Sequence, residues 1–159
     1  MRRRAPHPRA VTIAIRPARP GEEPALSELA LRSKGHWGHD AAFLERSRTA
    51  LTLHSGDLER WIVRVAERDG MPVGVSAVDP AAAELELLFV DPPAIGTGVG
   101  GALLRDALAQ ARAAGLATLT IESDPDAEPF YLAAGAERIG TRISAATGRE
   151  LPLLRIPTR

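Results

Sequence analysis

Several residue types are rare or missing in this sequence of 159 residues, which has no cysteine, one lysine (Lys34) and one tyrosine (Tyr131). The lack of cysteine excludes a disulfide framework, a cysteine nucleophile and a thiolate metal site. Long hydrophobic runs are missing too, since no apolar stretch approaches the roughly 18 residues that span a membrane. We therefore expect neither a bound metal nor an association with membranes.

An excess of either charge is also absent, because 20 basic residues balance 20 acidic ones and the formal net charge is zero. Neither a nucleic-acid surface nor an acidic tail is indicated. Residues 1–10 are basic but contain no apolar h-region, so they do not resemble a secretory signal. We expect a flexible basic tail over 1–10, one domain over 11–159, and a cytoplasmic location.

The most informative segment is a glycine-dense turn between an apolar run and a helical pattern. The run ends at Val90, a Pro-Pro corner follows, and glycine then occupies positions 96, 98, 100 and 101. Glycine lets a backbone approach a bulky phosphate, and the unpaired N–H groups at a helix start attract anions. The segment therefore predicts a site for a phosphorylated ligand.

Three interpretations of this turn compete. A P-loop requires a lysine after its last glycine, and this turn has none. A dinucleotide-binding turn is compatible with Gly96-x-Gly98-x-x-Gly101, and Glu122 stands about 20 residues on, where a ribose ligand is expected. However, residues 91–95 separate these glycines from the strand, and too few residues follow Glu122 to complete a doubly wound domain.

The third interpretation is a resemblance. Residues 90–104 read Val-Asp-Pro-x-x-x-Gly-x-Gly-x-Gly-x-x-Leu-Leu. This segment resembles the acetyl-CoA pyrophosphate loop of the GCN5-related N-acetyltransferases (GNAT), which reads Arg/Gln-x-x-Gly-x-Gly/Ala. Gly98 and Gly100 fill the glycine positions, and Ile95 stands where Arg or Gln is usual. The resemblance implies acetyl-CoA as co-substrate, and the departure at position 95 implies weaker binding of it.

A second segment, residues 124–135, resembles the Asn-x-x-Ala-x-x-Phe-Tyr-x-x-x-Gly segment of the same family. Ala127, Phe130, Tyr131 and Gly135 match it, and Asp124 stands where an asparagine often contacts the pantetheine arm. One helix and one strand separate the two segments, as in the family. The resemblance spans most of the chain, from about residue 11 to residue 156.

Apolar periodicity along the chain predicts the element order βααβββαβαββ. The elements are predicted at residues 11–16, 20–34, 41–51, 61–67, 71–78, 84–90, 99–114, 116–121, 127–134, 136–143 and 151–156. One mixed sheet with helices on both faces can bury this order, which is also the order of the GNAT family. We predict an α/β, GNAT-like fold with a mixed, mostly antiparallel sheet.

Acetyl transfer to an amine needs a base for the ammonium proton and a proton donor for the departing thiolate. By resemblance Tyr131 lies near the thioester sulphur, so it is the candidate acid. Glu84 and Glu86 lie on the strand before the glycine turn and are the candidate bases. Strict alternation places both on one face, opposite Leu85 and Leu87. The alternative is a pair of solvated strand carboxylates.

The resemblance also implies which residues contact acetyl-CoA. Backbone N–H groups of the loop and the Thr97 hydroxyl would contact the phosphates, and the preceding strand would pair with the pantetheine amides. The predicted contacts are Leu88, Phe89, Val90, Ile95, Gly96, Thr97, Gly98, Val99, Gly100, Gly101, Asp124 and Tyr131.

The sequence does not identify the acceptor. In the fold that the resemblance implies, the loop between the first two helices borders the acceptor site. Its His36, Trp37 and His39 could contact a small cationic or polar acceptor, or the tryptophan could simply anchor the loop. We predict N-acetyl transfer from acetyl-CoA to a primary amine of a small molecule or protein, and leave a homodimer open. The alternative is a non-catalytic acyl-CoA-binding sensor or regulatory module of the same fold.

Overall fold

The computed structural model describes residues 12–159, so the predicted tail over 1–10 and Val11 lie outside the described residues. Seven strands form one sheet in the order β1-β2-β3-β4-β5-β7-β6. They are β1 (Ile13–Pro17), β2 (Ile62–Arg68), β3 (Met71–Asp79), β4 (Glu84–Val90), β5 (Thr118–Glu122), β6 (Glu137–Ile143) and β7 (Glu150–Pro157). Every neighbouring pair is antiparallel except β4 and β5, which confirms the predicted sheet.

Five α-helices occur within residues 12–159: α1 (Glu23–Gly35), α2 (Ala41–Leu51), α3 (Asp57–Arg60), α4 (Val99–Ala113) and α5 (Glu128–Ala133). Short 3₁₀ turns, Pro92–Ala94 and Pro125–Ala127, precede α4 and α5. The predicted order is confirmed apart from α3, which the sequence analysis missed. Among residues 12–159, no helix has the length and hydrophobicity required of a membrane span.

Helices cover both faces of the sheet and build a core on each. On one face, Leu26 and Leu29 of α1 pack among residues that include Val65 and Leu87. On the other face, α4 packs so closely on β3 that a Cβ added at Gly74 would lie 2.6 Å from a Leu103 methyl carbon. This close approach fixes the start of α4, and with it the glycine-dense turn, over the end of the sheet.

A β-bulge in β4 changes which side chains share a face. Ala77 of β3 pairs with Leu87 and Val78 pairs with Leu85, so Glu86 is an extra residue with no partner on β3. Leu85 therefore packs with the α4 core and Leu87 with the α1 core. The prediction that Leu85 and Leu87 lie on one face, opposite both glutamates, was wrong because it assumed strict alternation.

The neighbouring strands β4 and β5 are paired at one position only and then move apart. Glu84 of β4 is opposite Thr120 of β5, and no further pair joins these strands. On its other side, β4 stays paired with β3 as far as Val90. Residues 85–90 therefore present an open backbone edge toward β5, at the middle of an otherwise continuous sheet.

Candidate active site

A cleft of about 400 Å³ fills the gap between the diverging strands. Its walls are the open edge of β4, the glycine turn, α5 and the end of α1. It brings together most of the predicted site residues: Trp37, His39, Glu86, Leu88, Phe89, Val90, Ile95, Gly96, Gly98, Gly100, Gly101, Asp124 and Tyr131. Segments from four parts of the sequence thus meet in one cavity.

The glycine turn has the geometry of an anion site. Gly96 and Gly98 adopt φ values of 80° and 89°, in the left-handed region that favours glycine, and Gly98 is the N-cap of α4. The N–H of Ala102 donates to the Gly98 carbonyl at 3.1 Å. The N–H groups of residues 99–101 come before this bond and therefore have no carbonyl partner within the helix. The first turn of α4 carries no acidic residue, so nothing there opposes the positive end of the helix dipole.

Four predicted site residues do not line the cleft. Thr97 turns its hydroxyl toward the Ala94 carbonyl and the guanidinium of Arg68. The Val99 side chain is buried in the α4 core. His36 meets the Trp37 ring edge-on with 5.3 Å between the ring centroids, and Glu84 lines a neighbouring pocket instead.

Two arginines near the turn were not among the site residues predicted from the sequence. Arg68, at the end of β2, donates from Nη2 to Thr97 at 3.0 Å, and its buried Nε has no partner among the described residues. Arg105 lies one helical turn after Gly101, with Nη1 3.3 Å from the place a Cβ on that glycine would take. Their guanidinium groups put positive charge beside the turn, where Ile95 supplies none. The i,i+4 spacing from Gly101 could have pointed to Arg105.

Tyr131 lies at the boundary between the core and the cleft. Its side chain packs in the α4 core and is only 6% exposed, yet it lines the cleft. Burial, and to a lesser degree the charge of Asp124, raises the pKa of the phenol well above its usual value of about 10. Tyr131 therefore keeps its O–H proton at every physiological pH and can donate it toward the cleft.

Glu86 is the carboxylate with the most altered acidity in the cleft. Burial, the neighbouring carboxylate of Glu84 and that of Asp79 raise its pKa to about 7. The Glu84 carboxylate instead accepts a hydrogen bond from Arg142 at 3.0 Å. Because the bulge turns Glu86 to the place where β4 and β5 part, a carboxylate that titrates near neutral pH faces the cleft.

A second pocket of about 170 Å³ adjoins the cleft. The two cavities share Lys34, Leu85, Glu86, Phe89, Glu122 and Asp124. Lys34 donates from Nζ to the Asp124 carboxylate at 2.9 Å, and this pair ties the end of α1 to the turn before α5. The only lysine in the sequence therefore neutralises Asp124, which stands where the resembled family often has asparagine.

No cluster of three or more metal-ligating side chains occurs within residues 12–159. The two cavities offer hydrogen-bond donors, a protonated phenol and two carboxylates with raised pKa values, those of Glu86 and Glu122. Such a set can move protons to and from a bound substrate.

Solved structures with similar folds are numerous. A GCN5-related N-acetyltransferase from Rhodopseudomonas palustris superposes with a TM-score of 0.80 at 19% identity, covering 95% of this chain and 99% of that one. The PaiA N-acetyltransferase of Thermoplasma acidophilum, solved in complex with coenzyme A, gives 0.74 at 16% identity over 92% and 99%. The ribosomal-protein-S18-alanine N-acetyltransferase of Escherichia coli gives 0.68 at 18% identity over 92% and 94%.

Sequence comparisons identify a family but no individual curated relative. No curated protein matches this chain significantly. Residues 41–149, which are more than half of the chain, match the family described as "Acetyltransferase (GNAT) domain". This match agrees with the fold, with the glycine turn at the start of α4 and with the Phe130-Tyr131 segment. The chain therefore belongs to the GNAT family of N-acetyltransferases, which are acyltransferase enzymes.

Proposed function

We propose that this domain transfers the acetyl group of acetyl-CoA to a primary amine of a small-molecule or protein acceptor. The observation that carries the proposal is that one cleft is lined by a glycine-rich helix start, a buried tyrosine and a bulged glutamate. These groups answer the three needs of acetyl transfer, which are a phosphate site, a proton donor and a proton acceptor.

The geometry of the cleft supports a specific set of cofactor contacts. The pyrophosphate would accept hydrogen bonds from the N–H groups of residues 99–101, with Arg68 and Arg105 supplying nearby positive charge. The pantetheine amides would pair with the open edge of β4 at residues 88–90, as an added strand does. This arrangement directs the thioester toward Tyr131 and Glu86, where the two cavities meet.

The proton balance of the reaction assigns one role to each side chain. The Glu86 carboxylate accepts a proton from the acceptor's ammonium group, and the free amine attacks the thioester carbonyl carbon. A C–N bond forms and the C–S bond breaks. The sulphur takes the phenol proton of Tyr131, which regains a proton from the acylated nitrogen through water. One proton leaves in total, from Glu86 to solvent.

A free-thiol assay with acetyl-CoA and a broad panel of amines tests this function. The proposal requires that at least one amine release CoA thiol and gain an acetyl group by mass spectrometry. Binding of CoA with no thiol release on any amine would favour the alternative, a non-catalytic acyl-CoA-binding module. We retain this alternative because Ile95 and Asp124 depart from the family pattern.

Replacing Glu86 by glutamine should change the pH dependence of turnover. The wild-type kcat/KM should rise with pH and level off above about 7, because the carboxylate accepts a proton only when it is ionised. Glu86→Gln should remove that rise and lower kcat/KM by about tenfold at neutral pH. A wild-type profile retained in the variant would mean that water or another group takes the proton.

The same variant should gain stability at high pH. The pKa of Glu86 is raised in the folded state, so its ionisation opposes folding as pH rises from 4.5 through about 7. Above that window Glu86→Gln should be more stable than wild type by about 1–2 kcal/mol, after allowance for solvent screening. The difference should vanish near pH 4 in chemical denaturation. Glu137→Gln is the control, since it breaks an exposed pair with Arg155 away from both cavities and should give no such gain.

Introducing the usual arginine at position 95 should tighten CoA binding. Ile95 lines the cleft in extended conformation beside the turn, so Ile95→Arg adds a charge-assisted contact to a phosphate. The expected gain is about threefold to tenfold by calorimetry, because partial exposure screens the charge. Ile95→Met controls for packing and should leave the affinity unchanged. Weaker binding in Ile95→Arg would identify Ile95 as a packing residue.

A further inference from the structure

We propose that the acceptor is a small primary amine that also carries an anionic group, bound in the pocket beside the cleft with its nitrogen at Glu86 and its anion at Arg149. This inference rests on the proposed acetyl transfer and names the substrate class for it. The charges that line the pocket, the way Arg149 is held and the size of the cavity support this acceptor.

One carboxylate and one cation of this pocket make no ion pair, while one arginine is shared by two of its glutamates. Its carboxylates belong to Glu84, Glu86, Glu122 and Asp124, and its cations to Lys34 and Arg149. Lys34 pairs with Asp124 at 2.9 Å, while Arg142, beside the pocket, lies 3.0 Å from Glu84 and 3.7 Å from Glu122. Within residues 12–159, neither Glu86 nor Arg149 has an ion-pair partner. A ligand with one ammonium and one anionic group would match both.

The Arg149 guanidinium is held in place without being neutralised. It lies over the ring of Phe43, with 5.1 Å between the guanidinium carbon and the ring centroid. The carbonyl of Arg149 accepts from the Ser144 N–H at 2.7 Å, which anchors its backbone in the β6–β7 turn. An aromatic face orients a guanidinium and leaves its N–H donors free. Such a fork pairs well with a carboxylate or a phosphate-like group.

The position and size of the pocket favour a small acceptor. Glu86 lines both cavities, so an amine held there can reach a thioester in the cleft. A volume of about 170 Å³ suits an acceptor of amino-acid size. The remaining walls include Ala50, Leu51 and Ala146, which offer apolar contact to a short aliphatic chain between the two charged ends.

Matched amines with and without an anion test the proposal in the free-thiol assay. Butylamine, 4-aminobutyrate and 3-aminopropylphosphonate have similar chains and amines of similar basicity. β-Alanine with propylamine repeats the comparison at a shorter length. The anionic members should have kcat/KM at least about tenfold above the neutral ones, as expected for a charge-assisted bond to a partly buried arginine. The carboxylate and phosphonate arms distinguish which anion is preferred.

Substitutions of Arg149 test whether this side chain causes the preference for anionic amines. In Arg149→Gln, the ratio of kcat/KM for anionic amines to that for neutral amines should fall toward one, with CoA affinity and thermal unfolding unchanged. Arg149→Lys should retain part of this preference. Arg46→Gln is the control, because Arg46 is exposed and also lies near the Phe43 ring, at 5.9 Å, but does not line the pocket. It should keep the full preference.

The outcomes distinguish this inference from the function on which it rests. Thiol release with neutral amines or peptide N-termini that equals or exceeds release with the anionic amines overturns the inference and leaves acetyl transfer standing. An anion preference that survives in Arg149→Gln also overturns it. The absence of thiol release with every amine overturns the proposed function, and this inference with it.

Discussion

A Gly98→Glu variant is expected to bind coenzyme A at least about 100-fold more weakly than wild type. Gly98 has φ 89° at the N-cap of α4, a conformation that costs other residues about 1–2 kcal/mol. A carboxylate there would also compete with the pyrophosphate for the N–H groups of residues 99–101 and repel it. Titration calorimetry with CoA measures the loss.

The control for this variant is Gly115→Glu. Gly115 follows the C-terminal end of α4 with φ 85°, and a Cβ added there meets nothing within 4 Å, as at Gly98. It therefore carries a similar backbone strain and the same new charge at the opposite end of the helix, and should bind CoA as wild type does. Equal losses in both variants would point to a global effect. Wild-type affinity in Gly98→Glu would show that the phosphates bind elsewhere.

Tyr131→Phe is expected to lower kcat by about 100-fold while the CoA dissociation constant changes less than twofold. The variant keeps the ring that packs in the α4 core and removes only the hydroxyl that can protonate the departing sulphur. Losing a general acid typically costs about 10²- to 10⁴-fold, and the low end applies because a thiolate leaves readily. Single-turnover kinetics, in which chemistry limits the rate, is the appropriate measurement.

Thermal unfolding separates this effect from a structural one. A phenol that only filled space would give a lower melting temperature with kcat intact. A kcat within twofold of wild type would remove Tyr131 from the mechanism. The sequence has no second tyrosine and no cysteine that could take over the proton transfer.

Local signals predicted most of the fold. The bounds of α2 were predicted as Ala41–Leu51, and Asp40 caps that helix by accepting from the Phe43 N–H at 2.7 Å. Residues 69–70, Asp-Gly, form a sequence typical of hairpin turns, and both adopt positive φ between β2 and β3. In contrast, α1 begins at Glu23 rather than at residue 20, since Gly21 turns the chain with φ 95° before it. Periodicity alone does not register such a turn.

The bulge at Glu86 shows where local reasoning fails. Alternation along β4 depends on an uninterrupted ladder with β3, and the extra residue depends on how the two strands pair. Nothing in the letters Glu-Leu-Glu-Leu-Leu indicates that interruption. Both glutamates were candidates from sequence, but only the structure distinguishes the bulged Glu86 from Glu84, which is paired with Arg142.

Long-range charge pairing was the other part that sequence could not supply. Lys34 and Asp124 are 90 residues apart and join across the cavities, and Arg149 enters the pocket from a polar turn near the end of the chain. Family motifs point to the glycine turn because its conformation is local. The proposed acceptor pocket is assembled from elements that meet only after folding, so its charges had no recognisable pattern in the sequence.

Backbone amide NMR during a titration with coenzyme A tests whether the cofactor binds at the glycine turn. The largest shifts should fall on residues 96–101 and on the open edge of β4 at residues 88–90, with slower amide exchange at 99–101 once phosphate accepts their hydrogen bonds. Gly115, at the opposite end of α4, should not shift. Saturable CoA binding whose largest shifts map away from the glycine turn and β4 would contradict this placement.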